Sequence, residues 1–188
     1  MSHALPSFEI VAAADERLGI GKSDRLPWRL PGEMRYFRKL TCGADASDGA
    51  AGAMNAVIMG RRTWESIPRS YRPLQGRANV VITRQAGYPL PEDVSRAGGL
   101  EDALRVAGER AGGRRVFVIG GADIYRQAIA LPACEGIYLT RILADYDCDA
   151  FFPAIDEDVF DQAEILDDVV EREVRYRIEH WRRRPGTR

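Results

Sequence analysis

Apolar positions along this chain fall into short runs and helical stripes, and the two kinds alternate. Residues 8–14 (FEIVAAA) are an apolar run with a β-branched centre, which predicts a buried strand. Residues 33–40 (EMRYFRKL) predict a helix: Pro31 stands just ahead as an N-terminal marker, and Met34, Phe37 and Leu40 fall three apart as one apolar stripe. Residues 41–55 are small, polar and Gly-rich without periodicity, which predicts a surface loop. Further strands are predicted at 56–59 (AVIM), 79–83 (NVVIT), 115–119 (RVFVI) and 136–142. Between them come a helical turn at 63–67, a helix at 100–110 with Leu100, Ala103, Leu104 and Ala107 inward, and a helix at 122–130. Near the end Val174, Tyr176, Ile178 and His180 alternate with Arg175, Arg177, Glu179 and Trp181, and a period of two predicts an antiparallel strand with one buried face. Strands alternate with helices through the middle and the tail is strand-only, so the expected class is α/β: a mixed, mostly parallel sheet with antiparallel strands at its C-terminal end. No linker or repeat divides residues 1–188, which read as one domain, with 182–188 (RRRPGTR) as a frayed tail.

Composition narrows the function classes. A chain of 188 residues with 45% apolar and 29% charged residues can bury one sizeable core. No apolar run reaches membrane-spanning length, and the first ten residues lack a basic and an apolar segment, so neither a membrane span nor a signal peptide is expected. Net charge is −1, which disfavours a sequence-independent nucleic-acid binder. Of 27 cations 25 are arginine, a bias that fits base composition better than function. Three cysteines form neither a CxxC nor an even framework, which suits a reducing, cytoplasmic setting. The two histidines, His3 and His180, lie near the termini and disfavour a His-ligated metal or a Ser-His-Asp triad; no metal is expected.

Chemistry has to come from carboxylates, backbone groups, arginines or a borrowed cofactor. Gly19-Ile20-Gly21-Lys22-Ser23 looks like a phosphate loop but is not one, since a Walker loop needs Gly where Glu16 stands and a dinucleotide fingerprint needs Gly where Asp24 stands. The segment is either a mobile lid or a tight connection. Glu33 and Phe37 lie four apart on one helical face, so Glu33 is either a solvated first-turn carboxylate or a desolvated one that binds a cationic or amide-like group. Three strand ends carry anion-binding signals: Gly60-Arg61-Arg62-Thr63, Thr83-Arg84 and Gly120-Gly121. Together they suggest an extended anionic ligand across one sheet edge, although abundant arginine and steric demand for glycine would also produce them.

Taken in order, VAAADERLGIGKSDRLPW (11–28), EMRYF (33–37), VIMGRRTWESIP (57–68), RPLQGR (72–77), VVITR (80–84), VFVIGGADIY (116–125), YLTRI (138–142) and DAFFP (149–153) resemble the dihydrofolate reductases along nearly the whole chain. That resemblance implies an eight-stranded, mostly parallel mixed sheet flanked by helices, and reduction of 7,8-dihydrofolate to 5,6,7,8-tetrahydrofolate by hydride transfer from NADPH to pterin C6 with protonation at N5. It implies that Glu33 is the acid of the pterin pocket, supported by Thr140, with Trp28 anchoring a bound water, Tyr125 near the nicotinamide and Leu26 at the reacting centre. Val11, Ala13, Leu26, Met34, Phe37 and Ile67 would line a water-excluding pocket with Ile119, and Arg77 would grip the glutamate α-carboxylate. Ala13 and Ile20 would meet the carboxamide. Gly60, Arg61, Arg62 and Thr63, Thr83 and Arg84, and Gly120, Gly121, Ala122, Asp123 and Ile124 would hold the rest of NADPH, with the Gly-Gly peptide cis. The expected protein is a monomer that binds a small molecule and needs no nucleic acid or membrane. Two other readings are a pyrimidine reductase of riboflavin synthesis, against which Glu33 and Arg77 argue, and a non-catalytic NADPH-binding protein.

Overall fold

Strand β1 (Phe8–Ala14) is apolar on both sides because it lies inside the sheet, with helices over both faces. Ile10, Ala12 and Ala14 pack into one apolar layer and Val11 into the other. The computed structural model describes residues 4–43, 54–162 and 164–187. Along the chain follow β2 (Gly19–Gly21), α1 (Pro31–Cys42), β3 (Ala56–Gly60), α2 (Arg61–Ser66), β4 (Ala78–Ile82), β5 (Val94–Ala97), α3 (Leu100–Ala111), β6 (Val116–Val118), α4 (Ala122–Ile129), β7 (Cys134–Ile142), β8 (Ala150–Phe151), β9 (Glu164–Glu171) and β10 (Val174–Arg182). Among the described residues the main sheet has eight strands in the order β5-β4-β3-β6-β1-β7-β10-β9, and β2 pairs with β8 in a separate ribbon. Pairing is parallel from β5 through β7 and antiparallel at β7–β10 and β10–β9, so the expected α/β architecture is the observed one.

Helix α3 packs Leu100, Ala103, Leu104 and Ala107, the four positions its periodicity selects, into the apolar layer over β3 and β4 that holds Ile58 and Val80. On the opposite face Phe37 and Leu40 of α1 and Trp64 of α2 cover Val11, Val57, Met59, Val81 and Phe117. Parallel strands run the same way, so β3, β4 and β6 deliver Gly60, Thr83 and Gly120 to one edge.

Several expectations change. Helix α1 runs from Pro31 through Cys42, so Thr41 and Cys42 are helical, and residues 44–53 of the expected 41–55 loop lie outside the described residues. The antiparallel partner of β10 is β9, whose exposed sequence EILDDVVE shows no alternation and so gives no strand signal of its own. Strand β10 does not keep one dry and one wet face: its register against β9 shifts between Ile178 and Glu179, and Glu179 and Trp181 are both buried. Glu179 is partnered there, accepting from Trp181 Nε1 at 3.1 Å and pairing with Arg141 at 3.3 Å. Nor does the tail fray at residue 182. Arg182 is the last residue of β10, Arg183 bridges to Phe160, and the Arg183 guanidinium donates to the carbonyls of Cys134 (2.6 Å), Ile129 and Leu131 (both 3.0 Å). No helix of the described residues is long and apolar enough to cross a membrane.

Ile129 ends α4, so Arg183 satisfies a carbonyl that the helix leaves open. Arg183→Ala is expected to lower unfolding free energy by about 2 kcal/mol, read from the urea midpoint, because charge-assisted hydrogen bonds to three carbonyls are lost. An unmoved midpoint would return the tail to a frayed one.

Candidate active site

Helix α1 begins with Pro31 at its first position, where a missing N–H costs nothing and the ring fixes φ. That start places Glu33 in the first turn, facing the sheet, with 6% of its surface exposed. The choice left open by periodicity is therefore decided for the desolvated carboxyl. Burial pushes its pKa up to about 7; a hydrogen bond from Thr140 on β7 pulls the other way, and the carboxylate of Glu171 adds to the rise. Thr140 is itself buried and sits beside Ala13 in the β1–β7 ladder. Tyr125 of α4 is buried nearby and donates to the carbonyl of Val11 at 2.8 Å; burial and Glu33 both raise its pKa. Trp28 is buried edge-on to Tyr146, and its indole N–H finds no acceptor among the described residues.

The expected Met34–Phe37–Leu40 stripe is replaced by Glu33, Phe37, Leu40 and Thr41, because an α-helix brings positions four apart onto one face as readily as three apart. Met34 is 50% exposed and Leu26 52%, so the apolar enclosure expected of these residues falls to Val11, Ala13, Phe37, Ile67 and Ile119.

Arg77 lies near the other end of α1, 7% exposed. It donates through Nε to Gln75 O at 3.0 Å and through Nη1 to Thr41 Oγ1 at 2.8 Å, with its guanidinium 5.8 Å from the Phe37 ring centroid. Among the described residues it pairs with no carboxylate, and burial lowers its pKa. Asn79 shapes the turn that carries it, accepting from Leu74 N–H at 2.9 Å and donating to the carbonyls of Leu74 (3.0 Å) and Arg77 (2.8 Å). Thr41 and Asn79 were not singled out in the sequence. The available signals were a hydroxyl one turn after Phe37 and an asparagine just after RPLQGR.

At the shared strand edge Gly60 N–H donates to Gly120 O at 2.8 Å, and the Gly120-Gly121 peptide is cis, as expected. A Cβ on Gly121 would stand 3.2 Å from Thr63 Oγ1, and one on Gly60 3.3 Å from Ile124 Cγ1, so backbone, the Thr63 hydroxyl and the Ile124 side chain line this cradle. Helix α4 starts at Ala122 behind it, while the Asp123 carboxylate turns outward to Arg126 at 2.8 Å. Arg62 and Arg84 are exposed. Arg61 is engaged by Glu65 at 3.0 Å, and Thr83 Oγ1 accepts from Gln85 N–H at 3.2 Å within its own turn. The 19–23 segment is tied down: Asp15 accepts from the Arg17, Gly19 and Tyr146 amides, Lys22 pairs with Asp147 at 2.8 Å, and Ser23 N–H donates to Asp149 at 2.8 Å.

The raised pKa of Glu33 fixes a linkage. Between about pH 4.5 and 7 the folded chain holds a proton that the unfolded chain releases, so this group's favourable contribution is full below that window and is lost as pH rises through it. Glu33→Gln is expected to gain stability over the parent as pH rises from 4.5 to 7 and to level off above, by about 3 kcal/mol in all. Urea titrations at pH 5 and 8 measure it; an equal difference at both would mean the carboxyl is not desolvated.

The site brings together one buried acid, one buried arginine without a carboxylate partner among the described residues, and a strand edge lined by glycines. A family model described as dihydrofolate reductase matches residues 7–183. The chain is 43% identical over 159 residues to "Bifunctional dihydrofolate reductase-thymidylate synthase 1" of Arabidopsis thaliana, covering 82% of this chain and 30% of that protein. It is 42% identical over 175 residues to the bifunctional enzyme of Daucus carota, covering 90% and 32%. Against "Dihydrofolate reductase" of Heliothis virescens it is 44% identical over 154 residues, 80% of this chain and 81% of the relative. The chain thus spans about a third of the length of the bifunctional relatives and most of the length of the single-function one. On the family match and these identities, the chain belongs to the dihydrofolate reductase family.

Proposed function

We propose that the chain reduces 7,8-dihydrofolate to 5,6,7,8-tetrahydrofolate with NADPH. The observation that carries this reading is Glu33: a buried carboxyl beside an apolar wall, able to hold a proton at neutral pH. It is the group that a pterin's 2-amino and N3 edge requires. Thr140 steadies the carboxyl and the same heterocycle edge. The Trp28 indole N–H, without an acceptor among the described residues, donates to a water at the ring. Val11, Ala13, Phe37, Ile67 and Ile119 keep bulk water away, and Met34 and Leu26 close over a bound ring. The Tyr125 hydroxyl, committed to Val11 O, places its ring beside the nicotinamide.

The cofactor fits the residues present. Gly60, Gly120 and Gly121 leave a cradle that any Cβ would narrow, and Ala122 opens a helix behind it. NADPH supplies the hydride when bound. Ala13 and Ile20 orient the carboxamide through backbone groups. Thr63, the backbone amides of Gly121, Ala122, Asp123 and Ile124 at the start of α4, and Arg62 hold its phosphates; Thr83 and Arg84 meet the adenosine end, with Arg61 available once released from Glu65. Glu33 fixes which ring face turns to the nicotinamide and holds the proton destined for N5. Arg77, a buried cation without a carboxylate partner among the described residues, takes the α-carboxylate of the glutamate tail by a two-pronged contact. We assign the protein as a monomer to a reducing compartment such as the cytoplasm, in keeping with three free cysteines.

The direct test is loss of NADPH absorbance on adding dihydrofolate to the pure protein; no dihydrofolate-dependent oxidation would end the enzyme reading in favour of a silent NADPH binder. Glu33→Gln is expected to lower turnover at pH 7 by about 100-fold or more, the usual weight of a positioned acid, with NADPH affinity retained. Arg77→Ala is expected to raise KM for dihydrofolate by about 10- to 100-fold, to leave NADPH binding alone, and to matter little for a pterin substrate lacking the glutamate. Equal losses for both ligands would reject the Arg77 assignment.

A further inference from the structure

We propose that Glu171 is a positioning residue for Glu33, holding the first turn of α1 from the end of the C-terminal hairpin. This rests on the reading of Glu33 as the working carboxyl. Helix α1 has no cap of its own: Leu30 at the N-cap contributes no side-chain hydrogen bond, and Pro31 has no N–H. The first amide in need of an acceptor is Gly32, and both Glu171 oxygens accept from it, at 3.1 and 2.9 Å. A carboxylate at a helix N-terminus also meets the positive end of the helix dipole.

The hairpin delivers this contact deliberately. Arg172 and Glu173 turn the chain with positive φ (51° and 66°), and Glu171 ends β9 opposite Val174. The rest of β9 is largely exposed, including Ile165, Leu166 and Val170, whereas Glu171 is partly buried against α1. Tyr176 closes on the same point: a Cβ on Gly32 would stand 2.8 Å from both Glu171 Oε2 and Tyr176 OH. Only glycine lets the carboxylate reach the amide, and the next residue is Glu33. A shift of that turn would move Glu33 away from Thr140.

Glu171 also bears on the charge of Glu33. The groups around Glu33 are Thr140 from β7, Glu171 from β9, Tyr176 from β10, Tyr125 from α4 and Tyr36 on α1 itself, with Asp167 and Arg35 near Tyr176. Of these Glu171 is the anion that opposes ionisation of Glu33.

Glu171→Ala and Glu171→Gln, assayed for dihydrofolate reduction across pH 5–9 with NADPH affinity measured in parallel, test the role. Glu171→Ala is expected to cut kcat/KM for dihydrofolate about 10-fold, the scale of a lost cap, with NADPH affinity unchanged. Glu171→Gln keeps an acceptor for Gly32 but not the charge, so it should hold kcat/KM near the parent's at low pH while the pKa of the activity profile moves down. If both variants lower only the unfolding midpoint and leave kcat/KM and the profile untouched, Glu171 is a structural cap and the proposal is overturned. Glu33→Gln run alongside separates the two readings. A parent-like profile there refutes the role of Glu33 and this proposal with it, whereas an altered profile there with kcat/KM and profile both unmoved in the two Glu171 variants refutes positioning alone.

Discussion

Placing a carboxyl against an apolar wall is the constraint from which the rest of this molecule follows. An ionised Glu33 without partners would cost several kcal/mol, so the group keeps its proton to near-neutral pH. The surroundings are balanced rather than simply hydrophobic. Thr140 favours the anion with a hydrogen bond, while Glu171 disfavours it with a like charge. A carboxyl poised in this way can both bind an amidine-like edge and supply a proton, which a fully ionised surface glutamate could not do at the same pH.

Helix α1 gives that constraint a length. Glu33 occupies its first turn and Thr41 its last, eight residues on, or about 12 Å along the axis. Thr41 donates to Phe37 O at 2.7 Å and accepts from Arg77, so the buried cation is referenced to the same helix as the buried acid. One rigid element thereby spaces an acid from a guanidinium, and Phe37 lies between them under the Arg77 cation. The ligand proposed above, with a polar heterocycle at one end and a carboxylate at the other, would be measured by this spacing. Pinning both ends of α1 to other parts of the fold keeps the spacing fixed.

The fold was readable where burial is two-sided or periodic. β1, β3, β4 and β6 are nearly continuous apolar runs because parallel strands have helices over both faces, and α3 shows its inward residues directly. What escaped obeys other rules. β9 is an edge strand whose charged residues face water and the arginines of β10, so pairing shows no alternation in its sequence. Trp181 reads as the solvent side of β10, yet it is buried in the apolar layer that holds Ile137 and Phe160. The site divides the same way. Glu33, Arg77 and the glycine pair belong to contiguous motifs, whereas Glu171 reaches Gly32 across 139 positions, a relation that no local spacing encodes.

Arginine shows how position gives meaning to a common residue. With 25 in the chain, an arginine near a candidate anion site says little by itself. Most are surface residues, and many sit in ion pairs with neighbours such as Glu65, Glu101 and Asp168 that water screens. Arg77 is the buried arginine among the described residues, and it is held by a hydroxyl and a carbonyl rather than by an acid. Neutral acceptors orient a guanidinium without cancelling its charge. The desolvation cost of that cation is therefore not offset within the described residues, and the proposed substrate carboxylate would offset it, whereas Glu33 at the other end of the helix meets the same cost by holding its proton.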